Sequence, residues 1–148
     1  MRLGAPIELA QFRQLLVEAC PSFGTSDRQC EFDKDVGDKE TEYLLAATFI
    51  RHLVALHVQD RHKEFEAVFD LIERLCLQGD PYVRELATVG LLEDLGNTNL
   101  HYRGSTPQDF EKYLRPQSRW WWDELELLWA GKIRYLGGSG RPRPNASG

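Results

Sequence analysis

Cysteine is scarce in this chain of 148 residues, which has only Cys20, Cys30 and Cys76. Three thiols cannot all pair with one another, and their wide spacing lacks the close pairs of a zinc site or a redox C-x-x-C. A reducing compartment fits them. Long apolar runs are lacking too. Nothing approaches the roughly 20 consecutive apolar residues of a bilayer span, and "MRLGAPIELAQF" holds no apolar stretch of the kind a secretion signal carries. No membrane association and a soluble, cytoplasmic protein are therefore expected. Basic charge is in deficit, with 18 Lys and Arg against 23 Asp and Glu for a net charge of -5. Without a basic stripe to neutralise phosphates, nucleic acid is not an expected partner, whereas a basic protein is electrostatically favoured.

Catalytic and metal signatures are equally thin. The sequence has no Gly-rich phosphate loop, no G-x-S-x-G and no H-E-x-x-H. "DKDVGD", residues 33 to 38, resembles the opening of a calcium loop, but its fifth place is Gly, its sixth is Asp, and the twelfth is Leu44 where the motif requires Glu. His52, His57 and His62 step by five, which turns successive imidazoles to different sides of a helix. The expectation is a protein with no cofactor and no metal. A hydrolase built from spatial pairs among His57, His101, Glu93 and Asp94 is the one enzymatic reading left open.

β-alternation is also missing, and what replaces it is helical periodicity. Phe12, Leu15, Leu16 and Ala19 mark a helix from near Pro6 that stops at Pro21. Leu45, Phe49, Leu53 and Leu56 stripe a second over about 39 to 57. A third runs from about Arg61 to a stop at Gly79, either separate or continuous with the second through a kink. Asp80 as N-cap, Pro81 at the first helical position and Gly96 as terminator bound a fourth. Thr106-Pro107 opens a short one carrying Phe110, Tyr113 and Leu114, and Pro116 opens the last. The fold class is all-α: one helical domain over 1 to 136 with five or six helices, including an acidic loop or arm over 21 to 38. A tail from 137 to 148, "GGSGRPRPNASG", has nothing apolar to bury and is expected to be disordered.

The last helix holds all four tryptophans, in "RWWWDELELLWAGK". At about 100° per residue Trp122, Leu125 and Trp129 share a face, which assigns them to the core. Trp120, Asp123 and Glu124 fall largely on the other side, where Trp120 would be an exposed aromatic anchor. Residues 27 to 42 add seven acidic side chains against three basic ones. The expected partner-binding surface therefore combines Asp33, Asp35, Asp38 and Glu42 of the arm with a ridge of Glu93, Asp94, Trp120, Asp123 and Glu124.

"GDPYVRELATVGLLEDLGN", preceded by "FDLIERLCLQ" and followed by "YLRPQSRWWWDELELLW", resembles a family of small bacterial helical domains that includes predicted immunity proteins of polymorphic toxin systems. The likeness covers roughly residues 39 to 131, most specifically "LLEDLGN" at 91 to 97 and the Leu-x-Pro-x-Ser-x-x-Trp-Trp element from Leu114 to Trp122. Asp80, Val83, Arg84 and Ala87 separately resemble the second helix of a HEAT repeat, which implies an antiparallel helix pair. The resemblance implies a non-enzymatic immunity protein that neutralises a cognate toxin, and the net charge of -5 makes a basic surface the expectation for that toxin. The alternative is a helical-repeat adaptor or regulatory interaction domain.

Overall fold

The computed structural model describes residues 5–25 and 39–144, and over these the chain is all-α. Helix α1 (Phe12–Ala19) begins later than the periodicity suggests. Ile7 is held in an extended bridge instead, donating its N–H to the Gln78 carbonyl and accepting from the Asp80 N–H, both at 2.8 Å. Pro21 ends α1 and also opens a single turn, α2 (Pro21–Gly24), whose Phe23 packs edge-on against Phe49.

Helix α3 (Lys39–Val58) buries Leu45, Phe49, Leu53 and Leu56 as its stripe requires, and also Ala46, Ile50 and Val54. It is therefore a central helix, covered over more of its circumference than an amphipathic surface helix. Asp60 takes a positive φ of 58° and Arg61 bonds back to Leu56, so the chain breaks here and α4 (Phe65–Gln78) is a separate helix. Gly79 links α4 to the next helix, and a Cβ there would stand 2.5 Å from the Leu75 carbonyl oxygen and 2.7 Å from Val83. Only glycine allows that approach.

Helix α5 spans 81–95 and starts as the sequence dictates, with Asp80 accepting from the Val83 N–H at 2.9 Å and Pro81 in the first turn. Its middle, Leu86–Leu92, is π-helical between the α-helical pieces Pro81–Glu85 and Glu93–Leu95. In this wider winding the neighbours Leu91 and Leu92 are both buried. Thr106 and Asp109 then cap a 3-10 segment, Pro107–Tyr113, that delivers the buried Phe110 among Phe65, Phe69 and His57.

The last helix, α6 (Pro116–Trp129), is capped from outside itself. The Glu73 carboxylate on α4 accepts the N–H groups of Gln117 and Ser118, each at 2.8 Å, which satisfies two of the four donors a helix start leaves open. Helix α4 touches α1, α5 and α6, and the core lies between these and α3. No helix among the described residues is long and apolar enough to cross a membrane.

Candidate binding surface

Two sides of α6 are covered, by different things. Trp122 and Leu125 enter the core as their spacing predicts. Trp129 shares their side but does not share their burial: it is 49% exposed. The last turn of α6 overhangs the end of α5, where the indole lies against Gly96 and the outer half of the ring is left to solvent. The expectation of a buried Trp129 is thus corrected.

Trp120 is corrected in the opposite sense. It is 6% exposed, because residues 137–144 double back over α6. The Arg141 guanidinium sits 5.3 Å from the Trp120 ring centre, and Arg143 lies 5.7 Å from Trp120 and 5.2 Å from Trp121. Glu124, expected on the surface, is fully buried beneath the same segment. It accepts from the Ser139 hydroxyl and from Arg141 Nε at 2.9 Å and Nη2 at 2.8 Å. Burial pushes its carboxyl up, but these donors and the arginine charge outweigh burial and hold it below the usual carboxylate range. Gln117 completes the dock, donating to the Pro144 carbonyl at 2.7 Å and accepting from Arg143 at 3.2 Å. The tail expected to be disordered from 137 is placed as far as 144, because arginines over indoles and a buried carboxylate replace the apolar anchors it lacks.

The open part of the expected ridge lies at its other end. Glu93, Asp94, Gly96, Asn97, Thr98 and Trp129 line a cleft of about 330 Å³. Burial and the neighbouring Glu93 charge raise the Asp94 carboxyl to about 6, with Arg51 pulling the other way, and burial also raises Glu93. Two adjacent carboxylates that resist ionisation beside an indole wall form a place where an added cation relieves repulsion.

Among the described residues, two further predicted positions, Glu42 and Asp123, do not join this cleft. Glu42 is buried and paired with Arg13 Nε at 2.8 Å, which removes it from the surface. A carboxylate on the inward side of α3 needs such a partner. Asp123 is engaged by Arg119 at 3.2 Å and by Arg141 at 3.9 Å. Asp33, Asp35 and Asp38 lie outside the described residues.

The hydrolase residues also separate. His57 bonds His62 at 2.7 Å and Asp109 at 3.0 Å, while His101 bonds Ser105 and the Leu95 carbonyl, so neither meets Glu93 or Asp94. Sequence reasoning missed a different cluster, in which the Ser22 hydroxyl lies 2.8 Å from His52 Nε2 and 2.6 Å from Glu64. Ser22 is 30 positions from His52 and 42 from Glu64, and no spacing announces the cluster. A hydroxyl has one hydrogen, and here the carboxylate takes it at the shorter contact. Ser22 then accepts from the imidazole, the reverse of an activated nucleophile. Glu64 also accepts the Ser22 N–H, so the cluster ties α2 to the start of α4. Among the described residues no group of three His, Cys, Asp or Glu side chains is arranged to hold a metal ion.

Residues 13–130 match the domain of unknown function DUF7674. The chain belongs to that family. No curated protein and no solved structure matches it. The DUF7674 match runs from α1 to the end of α6, so it contains the Glu93–Asp94–Trp129 cleft and stops short of the docked tail.

Proposed function

We propose that this DUF7674 protein is a non-enzymatic binding protein that neutralises a cognate bacterial toxin in the cytoplasm by direct contact, without a cofactor. The observation that carries the reading is the half-exposed Trp129 beside Glu93 and Asp94 in one open cleft. An exposed tryptophan costs solvation unless something covers it, and tryptophan next to charge is the composition of interface hot spots. A lysine or arginine from a basic surface would lie over the indole while its charge meets the two carboxylates. Such a cation over an aromatic ring contributes about 0.5–2 kcal/mol, depending on how well water is excluded. The net charge of -5 supports the choice of a basic partner, through a faster approach as well as through contact. That the partner is a toxin rests on the resemblance of residues 39 to 131 to predicted immunity proteins.

The test is co-expression with the toxin-like product of a neighbouring gene, scored by growth and by binding kinetics. Wild type should rescue growth, Trp129→Ala should speed dissociation, and neutralising Asp33, Asp35 and Asp38 together should slow association at low salt. Unchanged kinetics in both variants would place the interface elsewhere, and a neighbour product that is neither toxic nor bound would overturn the immunity reading itself.

A further inference from the structure

The docked tail is an extended segment held along one helix by a buried carboxylate, a buried amide and two indoles, the groups with which a receptor holds a linear peptide. Among the described residues, the hydrogen bonds to the buried Glu124 carboxylate come from Ser139 and Arg141. The side chain of Gln117, also buried and two turns away on the same side of α6, is bonded at both ends by Arg143 and Pro144. The segment therefore runs antiparallel to α6, from Ser139 at Glu124 to Pro144 at Gln117, with Trp120 and Trp121 between these polar ends. It buries no apolar side chain of its own, and Arg141 and Arg143 remain exposed while engaged.

We propose that this side of α6 is a recognition site for an extended Arg-Pro-Arg-Pro segment. The protein's own tail occupies it as a resident ligand, and a partner protein carrying such a segment displaces the tail. Each part of the segment has a reader. Arg141 places Nε and Nη2 on one Glu124 oxygen and also donates Nη2 to the Trp120 carbonyl at 3.2 Å, a fork that lysine cannot supply. Arg143 is read by the two indoles, and the Pro144 carbonyl by Gln117, which fixes the direction of the chain. The prolines have no N–H to leave unpaired and hold the backbone extended in advance, so little order is lost on docking. Displacement is feasible because Arg141 and Arg143 stay exposed while engaged, and because Gly137, with a φ of 87°, forms the joint before the docked stretch and Gly140, with a φ of 80°, a bend within it. In the toxin-binding reading this gives the basic partner a second point of attachment, and the inference rests on that reading only for the identity of the displacing protein.

The experiment uses the full chain with Arg141→Ala and Arg143→Ala, which loosens the tail without touching α6, and the synthetic peptide Gly-Gly-Ser-Gly-Arg-Pro-Arg-Pro as probe. Binding is followed through the indole N–H resonances of Trp120 and Trp121. The double variant should bind the peptide saturably and on the order of tenfold more tightly than wild type, whose site is filled. Adding Glu124→Gln, or using a Lys-Pro-Lys-Pro peptide, should weaken binding by a similar factor. A folded double variant that leaves both resonances unmoved at millimolar peptide overturns the proposal, as does equal binding of the lysine peptide. If the double variant fails to fold, Arg141→Lys with Arg143→Ala keeps a cation beside Glu124 but loses the fork and the second arginine, and supports the same titration, in which saturable binding upholds the site and unmoved resonances overturn it. Toxin contact at Trp129 is measured separately, so either result can fail while the other stands.

Discussion

Trp129 lies across Gly96 so closely that a Cβ at that position would stand 2.7 Å from the ring's Cη2. The glycine that terminates α5 thus also seats the one tryptophan left open to solvent. One residue serves both the helix end and the wall of the cleft.

Gly96→Ala should push the indole outward with little effect on the core, whereas Trp122→Ala should cost about 3–5 kcal/mol because that ring is packed on all sides. Trp129→Ala should cost roughly half as much, about 2 kcal/mol, since half of its surface is already wet. Thermal melts separate the two tryptophans by several degrees if this is right. Equal losses would show that Trp129 is a core residue after all.

Glu73→Ala should destabilise the fold by about 1–2 kcal/mol, because it leaves the Gln117 and Ser118 N–H groups at the start of α6 without their acceptor. Hydrogen exchange at those two amides should accelerate more than at the middle of α6. Glu73→Gln, which keeps an acceptor oxygen, should lose less.

Asp94 and Glu124 should move stability with pH in opposite directions. Asp94 is raised to about 6, so from its ordinary value of 3.8 up to that point the folded chain holds more of its proton than the unfolded chain, and stability falls as pH rises through the window. Asp94→Asn should therefore raise the melting temperature at neutral pH and leave it unchanged below that window. Glu124 is lowered, so its contribution is present above its ordinary value of 4.5 and is lost as pH falls through its folded value. Melts of Asp94→Asn, Glu124→Gln and wild type across pH 3 to 7 check both signs.

Arg141→Ala should free the tail while leaving the helices in place. Backbone relaxation would then show residues 137–144 moving on the nanosecond scale, with the rest of the chain unchanged. A tail that stays rigid in this variant would mean that Arg143 and Gln117 suffice to hold it.

Helix class, the C-terminal end of α4, both ends of α5, and the inward faces of Leu45, Phe49, Leu53 and Trp122 were all legible in the chain. Their causes are local: a 3.6-residue period, an aspartate before a proline, a glycine where no Cβ fits. The π-helical winding of Leu86–Leu92 and the outside cap from Glu73 have no such local mark, because each depends on what packs against the helix. The candidate site divides along the same line. Glu93 and Asp94 were readable as carboxylates at a helix end, and the aromatic helix as a binding candidate. Which tryptophan stays open was decided by reach: α6 overhangs α5 at Trp129, and the tail returns over Trp120. Periodicity states which way a side chain points but not what stands opposite it, and a segment without apolar residues carries no sign that its arginines will find indoles and a buried carboxylate. Sequence alone determined the helices and their inward faces, since those follow from bonds and contacts within a few turns. Tertiary structure alone decided exposure, pairing and the occupied side of α6, since each of these is a property of two surfaces brought together.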